Sequence, residues 1–236
     1  MKIIGYSERG AMNALFYGMA IKKDDAAMNK FLSLAGINDA YSNFRLYIEC
    51  SLSDFGDPDL VIIADKDGLK NETVFFVEAK VSERKKFDLK QQQDKHDKGK
   101  YDASNLFFQL RSKEYFFNHE CKGCEPERYK EKSFDIIKCK KEKHGNENCR
   151  ELGKNGIVNK FADEIKKCKS AEYIAIIPEQ KEAHPIKSYG FPIRFISWET
   201  ICSEFGAYID NAIVFNQYED KNKNLISQVL NNPMKQ

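Results

Sequence analysis

Residues 56–80 read GDPDLVIIADKDGLKNETVFFVEAK. Two apolar runs rich in β-formers, Leu60-Val61-Ile62-Ile63-Ala64 and Val74-Phe75-Phe76-Val77, flank the polar, Gly68-containing stretch Asp65 to Asn71. That pattern predicts a β-hairpin. With the turn centred near Leu69, Asp59 at the start of the first strand lies across from about Ala79 at the end of the second. Side chains alternate along a strand, so Glu78 and Lys80 project from one face, and paired strands lie about 4.8 Å apart. Two carboxylates and an ammonium therefore converge at one end of a buried sheet. Asp57 also precedes the first strand, and Asp59, next to its first apolar residue, is the preferred ligand.

Ionised groups are costly to bury unless they are paired or bind metal, so three of them ending two apolar strands call for a function. Two acidic oxygens with a backbone carbonyl form much of a Mg2+ site, because this ion prefers oxygen ligands and keeps several waters. A neighbouring lysine can orient or help deprotonate an attacking water, or offset charge on a phosphate. The chemistry suggested is phosphodiester hydrolysis. The plain alternative makes Asp59 a turn residue after Pro58, and Glu78 with Lys80 an edge-strand ion pair.

Outward from the hairpin, apolar residues at helical spacing from Glu8 to about Leu34 predict two helices or one bent one, with Asp24-Asp25 suited to starting the second. Phe44 to Cys50 alternates like a strand. Residues 82–104 are almost wholly polar and predict a loop or solvated helix leading into a buried helix that carries Leu106, Phe107, Phe108, Leu110, Tyr115 and Phe116. Ile157, Val158, Phe161, Ala162 and Ile165 mark another amphipathic helix. Further strands are expected at Tyr173–Ile177 and Ile193–Ile196, a helix opening at Trp198, and a last helix near Leu225–Leu230. His96 and His119 are expected at the surface.

Hydrophobic residues make up 42% of the 236-residue chain and charged residues 31%, which suits a globular domain with a solvated surface. One domain spanning 1–236 is expected. No apolar run reaches membrane-spanning length and the first residues lack a signal-peptide core, so a cytoplasmic protein without a membrane partner is expected. The net charge of +2 hides an uneven distribution along the chain. Residues 82–101 carry seven Lys/Arg against four Asp/Glu, and residues 111–170 carry sixteen against eleven. These stretches are together +8 and the remainder −6. Such runs can follow a polyanion's backbone or simply form a solvated face.

Seven cysteines are an odd number and argue against a disulfide framework. Cys121-Lys122-Gly123-Cys124 has the spacing that turns two thiolates toward one metal, and Cys139, His144 and Cys149 follow. Cys121, Cys124, Cys139 and Cys149 would hold a structural Zn2+ that orders a polar segment lacking its own apolar core. Unligated thiols are the alternative.

Pro58-Asp59 followed by Glu78-X-Lys80 at the end of an apolar strand resembles the signature of the PD-(D/E)XK nucleases. The resemblance covers roughly residues 8–116 and 171–201. It implies a restriction-endonuclease-like α/β fold, a mixed central sheet flanked by helices; it does not explain the basic, Cys-containing segment at about 119–168, which reads as an insertion. It further implies Mg2+ or Mn2+ held by Asp59, Glu78 and the Ala79 carbonyl, Lys80 acting on the water, and DNA as substrate. Glu8, on the first expected helix, matches the family's acidic helix residue, and Gln109 its polar residue on the helix after the signature. The Gln109 to Tyr115 spacing departs from the QxxxY pattern of exonuclease-like members. A non-catalytic nucleic-acid-binding module on the same fold is the rival reading. Endo- or exonuclease action, strandedness and oligomeric state, a homodimer included, are left open.

Overall fold

The computed structural model describes residues 3–5, 8–68, 71–80, 87–98, 100, 102, 104–118, 155–180, 191–209 and 212–214. Along the chain run β1 (Ile3–Gly5), α1 (Glu8–Lys22), α2 (Asp25–Leu34), β2 (Tyr41–Ile48), a 3-10 turn (Ser53–Phe55), β3 (Leu60–Lys66) and β4 (Asn71–Ala79). There follow α3 (Leu89–Asp97), α4 (Leu106–Asn118), α5 (Gly156–Lys166), β5 (Ser170–Ile177), β6 (Ile193–Ser197), α6 (Trp198–Ile209) and β7 (Ala212–Val214). Among the described residues no helix is long and apolar enough to cross a membrane. The helix expected near Leu225–Leu230 lies outside the described residues, as does most of the expected insertion.

The fold is α/β. Strands β2 to β6 form one mixed sheet in sequence order, antiparallel from β2 to β4 and parallel from β4 to β6. Strands β1 and β7, not foreseen from their three-residue sequences, pair in parallel as a separate ribbon. The chain divides into two compact units, one of residues 1–49, 59–87 and 168–236, the other of residues 50–58 and 88–167.

The first unit holds the sheet. Its central strands are continuous apolar runs because both of their faces are buried. Leu60, Ile62, Ala64, Phe75, Val77, Ala79, Ile174 and Ile176 share a core with residues of α1, α2 and α6, including Phe16, Phe31 and Trp198. Val61, Ile63, Val74, Phe76, Tyr173 and Ala175 occupy the alternate positions and are equally buried. Edge strand β2 is only half-buried and slips register between Ser42 and Arg45, where Asn43 takes a positive φ of 54°. Such a bulge disturbs the row of peptide groups an edge would otherwise offer to another strand. Asp24 caps α2 by accepting from the Ala27 N–H at 2.8 Å, as the acidic pair predicts.

The second unit is built on α3, α4 and α5. Asn105 Oδ1 accepts from the Phe107 N–H at 2.9 Å, and Gln92 Oε1 from the Leu106 N–H at 2.9 Å, so the start of α4 is capped twice. At its other end Lys166 Nζ donates to the carbonyls of Phe116 and Phe117. Phe55 packs its ring on Tyr115 and Phe116, with centroids 6.1 and 5.2 Å away. That packing anchors residues 50–58 to α4.

Candidate active site

The hairpin register differs by one residue from the expected one. Lys66 pairs with Asn71 and Leu60 with Val77, so the next step along the ladder sets Asp59 beside Glu78 rather than Ala79. Asp67 and Gly68, after the end of β3, both take positive φ, 54° and 68°, and the chain reverses half a residue earlier than a centre at Leu69. The change matters because directly opposed residues share a face. Leu60, Val77 and Ala79 face α1 and α2, so Asp59 and Glu78 alternate to the other face. The Lys80 N–H continues the ladder to the Ile176 carbonyl at 2.8 Å, which brings Lys80 to the same side as Glu78.

Asp59 is 6% exposed and Glu78 0%, whereas Asp57 lies at the surface. Asp59 Oδ2 accepts from the Ala79 N–H at 2.8 Å, which holds the carboxylate against the end of β4. Lys80 is half-buried. Its carbonyl accepts from the Trp198 indole N–H at 3.0 Å. Strands β4, β5 and β6 run parallel and end together here, and β3 begins here. Open α/β sheets place their ligands at this carboxyl end of the strands.

Glu8 is the first residue of α1, as expected, and its side chain lies outside the described residues. Gln109 lies on α4 of the second unit, half-buried, with its Oε1 buried and unpartnered. The first unit therefore brings together Asp59, Glu78, Ala79 and Lys80 from the expected set. Cys121, Cys124, Cys139 and Cys149, with His119 and His144, lie outside the described residues. Among the described residues no group of three or more His, Cys, Asp or Glu side chains gathers around one point fit for a metal ion.

Two further groups bear on the chemistry. His96, expected at the surface, is 3% exposed, with its ring 5.8 and 4.8 Å from those of Phe107 and Phe108. Burial lowers its pKa to about 4, with Asp97 pulling the other way and Arg111 adding to the fall. It is a neutral core histidine. Burial, helped by Glu199, pushes the Cys202 thiol up to about 12, so it stays protonated at neutral pH and is no nucleophile.

Sequence reasoning missed Trp198 as part of this site. Its only signal was an aromatic residue directly after a strand at the sheet's carboxyl end. Comparison of the chain with protein-family models, with curated proteins and with solved structures gave no match.

Proposed function

We propose that the chain is a Mg2+-dependent nuclease of the PD-(D/E)XK superfamily, of restriction-endonuclease-like architecture, hydrolysing DNA phosphodiester bonds. One observation carries the reading: buried Asp59 and Glu78 end neighbouring strands, and Lys80 stands two residues beyond Glu78 on the same side. The donor set suits a hard dication. Both side chains offer oxygen, buried anions gain more from a cation than exposed ones do, and the Ala79 carbonyl adds a third oxygen. Mn2+ fits the same ligands.

Bound Mg2+ supplies positive charge against the phosphate and makes water more acidic. Asp59 and Glu78 would hold it, and the Ala79 N–H fixes the Asp59 carboxylate in place for that task. The Lys80 ammonium orients the attacking water or offsets charge on the scissile phosphate, with its backbone held by Ile176 and Trp198. Glu8 is proposed as a supporting residue; Gln109, the other supporting residue expected from the sequence, belongs to the second unit.

The test is incubation with supercoiled, linear and single-stranded DNA, in Mg2+, in Mn2+ and in EDTA. Cleavage is expected only with the dication, and Asp59→Asn or Lys80→Ala should each lower the rate about 10^2-fold or more. Equal cleavage in EDTA rejects the metal-dependent mechanism. Binding without any cleavage points to the non-catalytic module.

A further inference from the structure

Trp198 is the chain's only tryptophan, is 1% exposed, and is the first residue of α6. Its backbone is fixed by the helix start: Ser197 Oγ accepts from the Thr200 N–H at 3.0 Å and shares a hydrogen bond with the Thr200 hydroxyl at 2.9 Å. Ala79, Ile176 and Ile196 are aligned across the three parallel strands, so the indole reaches back over the end of β5 to the end of β4. There it donates to the Lys80 carbonyl at 3.0 Å, while the Lys80 N–H donates to Ile176.

Both backbone polar groups of Lys80 are thus held, one from β5 and one from α6. The second hold comes just where β4 ends and its ladder stops supplying partners. A buried indole has one N–H to place, and here it is spent on the residue that carries the site's ammonium rather than on α6 itself. Ile201 and Phe205, further along α6, are buried in the same core as the indole.

We propose that Trp198 is a positioning residue for Lys80: its N–H sets the end of β4 so that the ammonium stands at a fixed place beside Asp59 and Glu78. This rests on the nuclease reading. Displacing a reacting group by about 1 Å can cost on the order of 10^2-fold in rate. Because the chain has a single tryptophan, feeding benzothienylalanine replaces only this N–H by sulfur and keeps the ring's shape.

Single-turnover cleavage at saturating DNA is then compared between the natural and the substituted protein, in Mg2+ and over a range of pH. The expected result is a rate about tenfold to a hundredfold lower, a displaced pH profile and unchanged DNA affinity. Equal rates and profiles, or a loss confined to DNA affinity, overturn the inference and leave the nuclease reading standing. If the natural protein does not cleave DNA, the nuclease reading fails first, and the single indole N–H resonance decides the rest. A resonance that Mg2+ shifts in the natural protein but not in Asp59→Asn keeps Trp198 tied to the Asp59–Lys80 cluster. A resonance that Mg2+ leaves unmoved overturns the tie as well.

Discussion

Asp59 has two tasks at once, and they can be separated by substitution. Its Oδ2 satisfies the buried Ala79 N–H, and its charge serves the proposed metal site. Asp59→Ala removes both and leaves a buried donor unmet, at a cost of about 1–3 kcal/mol. Asp59→Asn keeps a carbonyl oxygen for the same N–H and loses only the charge. Urea denaturation should therefore rank the wild type and Asp59→Asn close together and Asp59→Ala clearly lower, while both variants lose Mg2+-dependent cleavage. Equal stability of Asp59→Ala and wild type would show that the hydrogen bond carries nothing. The sequence makes Asp59, Glu78 and Lys80 visible because charge at the end of an apolar run is conspicuous. Nothing in it reports that Asp59 bonds the backbone of residue 79, since that depends on the exact hairpin register.

At the scale of elements, the strands and the amphipathic helices were legible where burial demands a long apolar or periodic run, as in Leu60–Ala64, Val74–Val77 and Phe161 to Ile165. Helix α3 was not. Its sequence, LKQQQDKHD, buries only Leu89, Gln93 and His96, a stripe too polar to stand out from a solvated helix or loop. What buries His96 is the aromatic pair Phe107-Phe108 of α4, a contact that local sequence does not record. The burial has a pH signature. In the unfolded chain the imidazole titrates near 6.5, in the folded one near 4, so above 6.5 both states are neutral and stability is whole. As pH falls from 6.5 toward 4 the unfolded state takes up the proton first and stability is lost, by at most about 3 kcal/mol. His96→Leu should remove this part of the pH dependence. Urea midpoints for both proteins at several values between about pH 7.5 and 4.5, a range that covers most of this titration, measure it. Parallel curves would mean that His96 is not the group responsible.

At the scale of the whole molecule, the charge pattern looks different once it is sorted by compact unit rather than along the chain. Residues 50–58 and 88–167 carry nineteen Lys/Arg and seventeen Asp/Glu, a net of +2, which leaves the sheet-bearing unit neutral. Neither unit carries a large net charge, so for the proposed DNA substrate an electrostatic grip is sought in local runs. The run that follows the candidate site in the chain is Arg84-Lys85-Lys86, four residues after Lys80, with exposed Lys90 beyond it. Such a run neutralises phosphates one by one and carries no base information, so each neutralised phosphate should contribute about 0.9 to the slope of log affinity against log salt on duplex DNA. Charge reversal at Lys85, Lys86 and Lys90 should flatten that slope by about that amount for every phosphate no longer neutralised, weaken binding to unrelated sequences alike, and leave Mg2+ binding at Asp59 and Glu78 nearly unchanged. DNA binding in Ca2+, titrated over salt for the wild type and the triple variant, measures the first two effects, and a Mg2+ titration of both proteins without DNA measures the third. Identical affinities and slopes would make these lysines an ordinary solvated face, and DNA would then have to be held by uncharged groups or by basic residues elsewhere in the chain.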